Sequence, residues 1–375
     1  MKRYFTKSML MIALVATSIA SGSARLSAQS NSTTTENVID TDTQCGFVCP
    51  QSNIGWAKWS SAYDSGYEDS VAMHASGLIV DVHSSGFSRL TYTGLYYRLG
   101  KFDPVAGTVN WGPSHEWVPT TVDGSWPAVA ITKEGYVILT FSNSFTKSSG
   151  RLRYYVGTLD PNGSTSQLIK FKVSNEYFDT GFHDSVAVNN NGTIAEAHEA
   201  DGKTGLWYRL GYLNAPGAGD FKIVWTTGDR GIEYDSGVNP HIAINDNNDA
   251  IEVHQVTNEN LLHYTRGKIV NNRITFTNVH PLYMGGSKDP AVILLNNGNV
   301  VEMHASNKQS SGYWEIRYRT GVLDPNVATH INWSPTTGFT GGYADTTGGI
   351  CTNGTYAVTT AVRGGSLFYT WAIVP

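Results

Sequence analysis

A glycine recurs along this chain at Gly100, Gly157, Gly211, Gly267 and Gly321, at spacings of 57, 54, 56 and 54 residues. A Tyr stands three residues before each one, and a sixth copy, Leu367 to Ala372, has Ala in place of Gly. A period of this length marks a supersecondary unit too small to bury its own apolar faces, so the copies must pack on one another. This constrains the fold more than any other feature of the chain.

Each unit reads as four short strands. The first is apolar, as in Ser70 to Met73, Ala128 to Ile131, Ser185 to Val188, His241 to Ile244 and Ala291 to Leu294. A polar turn follows, such as Asn190-Asn191-Gly192 or Asn296-Asn297-Gly298, whose residues accept the positive φ of tight hairpins. The second strand carries an acid and a His two apart: Asp81 and His83, Glu196 and His198, Glu252 and His254, Glu302 and His304. The third carries the Tyr-x-x-Gly, and the fourth alternates, as in Thr108 to Trp111 and His330 to Trp333. No stretch has a sustained helical period. Evenly spaced strands joined by turns predict an all-β fold, and four antiparallel strands per unit predict a β-propeller.

Five full units run from Tyr63 to about Gly342, and a sixth, from Thr346 to Pro375, has room for three strands. The segment Ile54 to Ser60 is expected to supply the missing strand. The expectation is therefore a six-bladed β-propeller over residues 54–375, sealed by pairing its first strand with its last blade, which leaves no open sheet edge.

The chain begins with Lys2, Arg3 and Lys7, an apolar run from Met9 to Ala20 and small residues up to Ala28. That is the pattern of a secretory signal peptide over 1–28, and the apolar run is short for a bilayer span. Residues 29–53, rich in Ser, Thr, Asn and Asp, read as a flexible linker. A secreted or periplasmic location is expected. Without residues 1–28 the chain keeps 22 basic against 31 acidic residues, a net −9. Such a field does not draw in phosphate backbones or anionic lipid, so neither nucleic acid nor membrane insertion is expected. Cys45 and Cys49 could close a small disulfide loop in an oxidising compartment, whereas Cys351 reads as a buried apolar residue.

Residues two apart on a strand face one side, so each acid-x-His pair projects together. It reads as a buried pair that satisfies itself, with Arg98, Arg209 and Arg319 as neighbours, because Leu139 and Phe141 replace it in the second unit. The segment entering each first strand differs between units, as a binding site would. It holds Glu68 and Asp69, Trp126, His183 and Asp184, Asn239, and Lys288 and Asp289. With Trp314 from a loop on the same face, these are the candidate ligand-binding residues. Asp69, Asp184 and Asp289 would repel one another unless Lys288, water or a cation such as calcium offsets them; no other cofactor is implied. Asp246 to Asp249 superficially suggests a calcium loop but lies in a hairpin turn. There is no Gly-x-Ser-x-Gly, His-Glu-x-x-His or phosphate-binding loop.

The arrangement resembles six-bladed propellers of the sialidase and fucose-lectin kind. Asp103 to Trp111, and Asp324 to Trp333, place an Asp and a Trp around a turn much as the sialidase Asp-box does, without its leading Ser. The sialidase arginine cluster and Tyr–Glu pair have no match, so no catalytic residue is carried over. The expectation is a lectin-like protein binding glycans at its loop face. The alternatives are a glycoside hydrolase with carboxylates at the propeller mouth and a scaffold for a protein partner.

Overall fold

The computed structural model describes Ile54–Val374, apart from residues 87–93, 120–123, 144–149, 202–203, 215–220, 258–260, 278–279, 284–286 and 336. The expected leader and linker, and the Cys45–Cys49 pair, lie outside the described residues. Among the described residues all the regular structure is β-strand. The short strand β1 (Asp64–Ser65) precedes a sheet of β2 (Tyr67–Met73), β3 (Leu78–Ser84), β4 (Leu95–Asp103) and β5 (Thr108–Val118). Next come β6 (Ser125–Ile131), β7 (Tyr136–Ser142), β8 (Arg151–Thr158) and the long β9 (Lys170–Val188). The first half of β9 ends one blade and its second half begins the next, with β10 (Thr193–Ala200), β11 (Gly205–Leu213), β12 (Ile223–Trp225) and β13 (Ile232–Ser236).

A further sheet holds β14 (Val238–Ile244), β15 (Asp249–Gln255), β16 (Leu262–Val270), β17 (Arg273–Phe276) and β18 (His280–Tyr283). Another holds β19 (Ser287–Leu294), β20 (Asn299–Ser306), β21 (Trp314–Leu323), β22 (Ile331–Trp333) and β23 (Gly338–Ala344). The last sheet is β24 (Thr346–Thr352), β25 (Tyr356–Arg363), β26 (Ser366–Ile373) and β1. The first strands β2, β6, β9, β14, β19 and β24 pack in succession, and β24 also packs on β2. This is a β-propeller.

The first described segment joins the last sheet. Asp64 pairs with Leu367, the Ala57 and Ser60 amides donate to the Trp371 and Tyr369 carbonyls, and the Thr370 hydroxyl donates to the Ala57 carbonyl.

The repeated Tyr and Gly now have physical reasons. Gly100, Gly157, Gly211, Gly267 and Gly321 lie opposite Trp111, Phe171, Trp225, Phe276 and Trp333 of the outer strand. A Cβ there would run into outer-strand side chains, so a larger residue would lift that strand off its neighbour. The Tyr ties one blade to the next. The Tyr97, Tyr208, Tyr318 and Tyr369 hydroxyls accept from the backbone amides of Ile169, Ile274, Ile54 and Val109, each on the following blade, at 3.0–3.2 Å. Between the blades, Val, Ile, Leu and Ala from first and second strands form the core.

The acid-x-His pairs are buried in this frame. Asp81, Glu196, Glu252 and Glu302 are fully buried, and each lies 3.0–3.2 Å from Nδ1 of the His two residues on. The other nitrogen of His83 and His254 faces Asp64 and Asp235 on the outer strand of the preceding blade, at 3.9 and 3.5 Å. Burial opposes protonation of His83, His198 and His254, but the adjoining carboxylates outweigh it and raise all three. Arg98 and Arg209 reach the same preceding strand. They donate to the Tyr63 and Phe178 carbonyls and pair with Asp64 and Asp179 at 3.1 and 3.3 Å. Arg319 donates to the Leu282 carbonyl and the Ser334 carbonyl. These groups fasten blades together and are not available to a ligand. Cys351 is buried as expected, its thiol pushed up by burial.

Candidate functional site

Every first strand is interrupted at the same place. Tyr67 pairs with Ser84 and Ser70 with Val82, which leaves Glu68 and Asp69 outside the ladder. The same two-residue bulge expels Trp126 and Pro127, His183 and Asp184, Asn239 and Pro240, Asp289 and Pro290, and Gly348 and Gly349. The first residue of the bulge has φ between 46° and 53° at Glu68, Trp126, His183, Asn239 and Asp289. Left-handed backbone at five non-glycine side chains is costly, and such cost collects where side chains must be re-aimed. The bulges aim them into one cavity of about 440 Å³ among the first strands, lined by residues of all six.

Seven of the nine sequence candidates line this cavity: Glu68, Asp69, Trp126, His183, Asp184, Asn239 and Asp289. Lys288 stands behind it. Its Nζ lies 2.8 Å from Asp289 Oδ2 and donates to the Asp345 carbonyl at 3.0 Å. Trp314 is not part of the lining. It opens β21, with the Lys288 and Lys308 ammonium groups 5.1 and 5.7 Å from its ring. Phe87, Ser144 to Lys147 and Asn258 to Asn260, from other segments between second and third strands, lie outside the described residues.

The register corrects one sequence equivalence. By sequence order Lys288 and Asp289 match Glu68 and Asp69, but Lys288 is still paired with Ala305, and Asp289 takes the Glu68 position. Pro290 occupies the Asp69 position, as Pro127 and Pro240 do in their blades. Proline lacks an amide hydrogen, so it sits comfortably in an unpaired slot. Asp69 and Asp184 are therefore equivalent to each other and not to Asp289.

Neighbouring bulges touch. The Trp126 amide donates to Glu68 Oε2 at 3.1 Å, and the Trp126 and His183 rings lie 4.2 Å apart between centroids. His183 Nδ1 is 2.9 Å from Glu199 Oε2. Asn239 Nδ2 donates to Asp289 Oδ1 at 3.1 Å, and the Thr347 hydroxyl donates to the Asp289 carbonyl.

Burial raises Glu68 to about 7, against the Trp126 amide and the Ser84 hydroxyl, which favour its charged form. Burial and the nearby Asp81 raise Asp69 to about 7. Burial and Glu196 raise Asp184 to about 8. Both aspartates are more than nine-tenths buried. His241, which the sequence reading placed only in an apolar strand, also lines the cavity. Its Nδ1 accepts from the Val292 amide at 3.2 Å, and burial lowers it to about 4, so the ring is neutral. Its signal was available: it is a lone His directly after the bulge.

Among the described residues no group of three or more His, Cys, Asp or Glu is arranged to hold a metal ion. Asp246, in the hairpin that superficially suggested calcium, instead accepts from the Asn190 amide and from the side chains of Asn190 and Asn296, at 2.6–2.7 Å. It joins three successive hairpins.

No protein-family model matches the chain, and no curated protein matches it. Solved structures do. A Hadza microbial sialidase, Hz136, superposes with a TM-score of 0.55 at 10% identity, over 82% of this chain and 66% of that one. The leech intramolecular trans-sialidase gives 0.55 at 8% identity, over 87% and 70%. An α-L-arabinofuranosidase from Fusarium graminearum gives 0.52 at 10% identity, over 87% and 98%. The chain thus spans just under two thirds of the length of the Hadza enzyme. At these identities the likeness is one of architecture: the chain has a sialidase-like β-propeller fold.

Proposed function

We propose that this protein acts on glycans at the axial cavity as a glycoside-cleaving enzyme, with Glu68 as proton donor. The observation that carries the reading is the state of Glu68. Its carboxyl lines the cavity, burial raises it to about 7, and the Trp126 amide holds Oε2 in place. Cleaving a glycosidic bond requires an acid that protonates the leaving oxygen and a carboxylate that assists attack at the sugar carbon. Asp289, oriented by Lys288 and Asn239, is the candidate for the second role. The paired rings of Trp126 and His183 offer a surface on which a sugar ring can stack. The propeller neighbours named as sialidases and as an arabinofuranosidase add support and move the hydrolase ahead of the lectin expected first. An extracytoplasmic site of action accords with the leader expected over 1–28.

A lectin is the second reading, favoured by the same Trp126 surface and the Asn239 amide in one lining, which suffice to hold a sugar without chemistry. The test is a panel of oligosaccharides and aryl glycosides, followed for binding and for released sugar. Turnover that falls at least about 100-fold in Glu68→Gln, with binding retained, is the expected result. Binding without product in the parent protein makes it a lectin. Neither, together with capture of a defined protein, makes it a scaffold.

A further inference from the structure

We infer that the axial cavity selects uncharged sugars and rejects those bearing a carboxylate. The inference rests on the glycan-acting reading above and goes on to name the substrate class. The chemistry of the lining decides it. Glu68, Asp69, Asp184, Asp289 and Asp345 all border the cavity, and no Lys or Arg is among the described residues that do. The ammonium of Lys288, behind the lining, is already held by Asp289, the Asp345 carbonyl and the face of Trp314. Three arginines of the third strands are committed to the frame. Arg98, Arg209 and Arg319 donate to carbonyls of preceding outer strands. The two histidines of the lining do not replace them. His183 faces Glu199, and His241 is neutral with Nδ1 accepting from an amide.

A sugar carboxylate entering this space would give up its water and meet carboxyl oxygens, with no cation to pair it. A neutral sugar meets hydroxyl-compatible acceptors and the Trp126 ring, a combination that suits pyranose or furanose hydroxyls. With no lysine or arginine among its described residues, the lining thus discriminates by leaving a carboxylate unpaired as much as by contact with a neutral sugar. This separates the chain from the sialidases it resembles in architecture.

The experiment compares neutral probes, arabinobiose and a galactose disaccharide, with 3′-sialyllactose and a glucuronide disaccharide. Binding is measured by calorimetry and product by chromatography on the full chain. Neutral probes should bind or turn over at least about 100-fold better than acidic ones. Thr346→Arg, which puts a cation on the rim, should narrow that ratio at least about tenfold by improving the acidic probes. A parent protein that prefers sialyllactose or the glucuronide overturns the inference and leaves the glycan reading standing. No signal with any of the sugars overturns both.

Discussion

The carboxyl of Asp69 packs against the α-carbon of Gly348, so a Cβ on Gly348 would collide with both its oxygens and with the Thr360 hydroxyl. The first and last blades therefore meet through a buried acid resting on a residue that must lack a side chain. Gly348→Ala should destabilise the fold by about 1–3 kcal/mol through overpacking. Adding Asp69→Ala should recover part of that loss, because it removes one of the two colliding groups and leaves the Thr360 hydroxyl. Urea titration of the two single variants and the double variant measures the coupling, and strict additivity would dissociate the two residues.

Glu252 and His254 stand in contact in the third of the four acid-x-His pairs, both fully buried. Removing one partner leaves the other unpaired, so His254→Phe alone should cost about 3 kcal/mol. The second blade carries Leu139 and Phe141 in the corresponding places, both buried. The double replacement Glu252→Leu with His254→Phe should consequently be milder than His254→Phe. A double variant worse than the single would mean that Asp235 and Tyr234 depend on the pair.

Stability should fall as pH rises from 5 to 8. Asp184 is raised to about 8 in the folded protein and ionises near 4 when unfolded, so over this interval only the folded form retains the proton. Each pH unit then favours unfolding, by about 3 kcal/mol in all across the interval. His83, His198 and His254, raised when folded, act in the same sense: their stabilisation is complete below about 6.5 and is lost as pH climbs through their folded values. His241, lowered to about 4, opposes this on the acid side, where stability falls as pH drops from about 6.5. Asp184→Asn should flatten the alkaline slope of melting temperature against pH, and an unchanged slope would refute its assignment.

Glycoside cleavage, if Glu68 supplies the proton, should decline above about pH 7 as that carboxyl ionises. Ser84→Ala removes a hydroxyl that favours its charged form, so the alkaline limb of kcat/KM should move upward. A limb that does not move assigns the titration to another group.

Trp126→Ala should weaken sugar binding about tenfold or more, since it strips one face of the cavity and the partner of His183. Trp314→Ala, expected from sequence to behave alike, should leave binding unchanged, because its ring is not part of the lining and instead receives the Lys288 and Lys308 ammonium groups. Calorimetry with a neutral disaccharide distinguishes the two.

The period of Gly100 to Gly321, the strand order within a unit and the buried character of the acid-x-His pairs were all legible in the chain itself. Each follows from short-range rules: alternation along strands, glycine opposite an outer-strand aromatic, and an acid within reach of a His two residues on. The variable bulge residues also stood out, because they differ where the rest of the unit repeats. Tertiary structure alone decided what they do. The register slip that makes Asp289 the counterpart of Glu68 is a property of pairing with Ala305 and Met303, which no local pattern encodes. Likewise, the ion pair of Lys288 with its neighbour, the distance of Trp314 from the lining and the arrival of His241 beside it depend on strands from separate blades meeting at one axis. Strand pattern is written residue by residue, whereas the charge and protonation of a cavity depend on what several distant segments leave unpaired together.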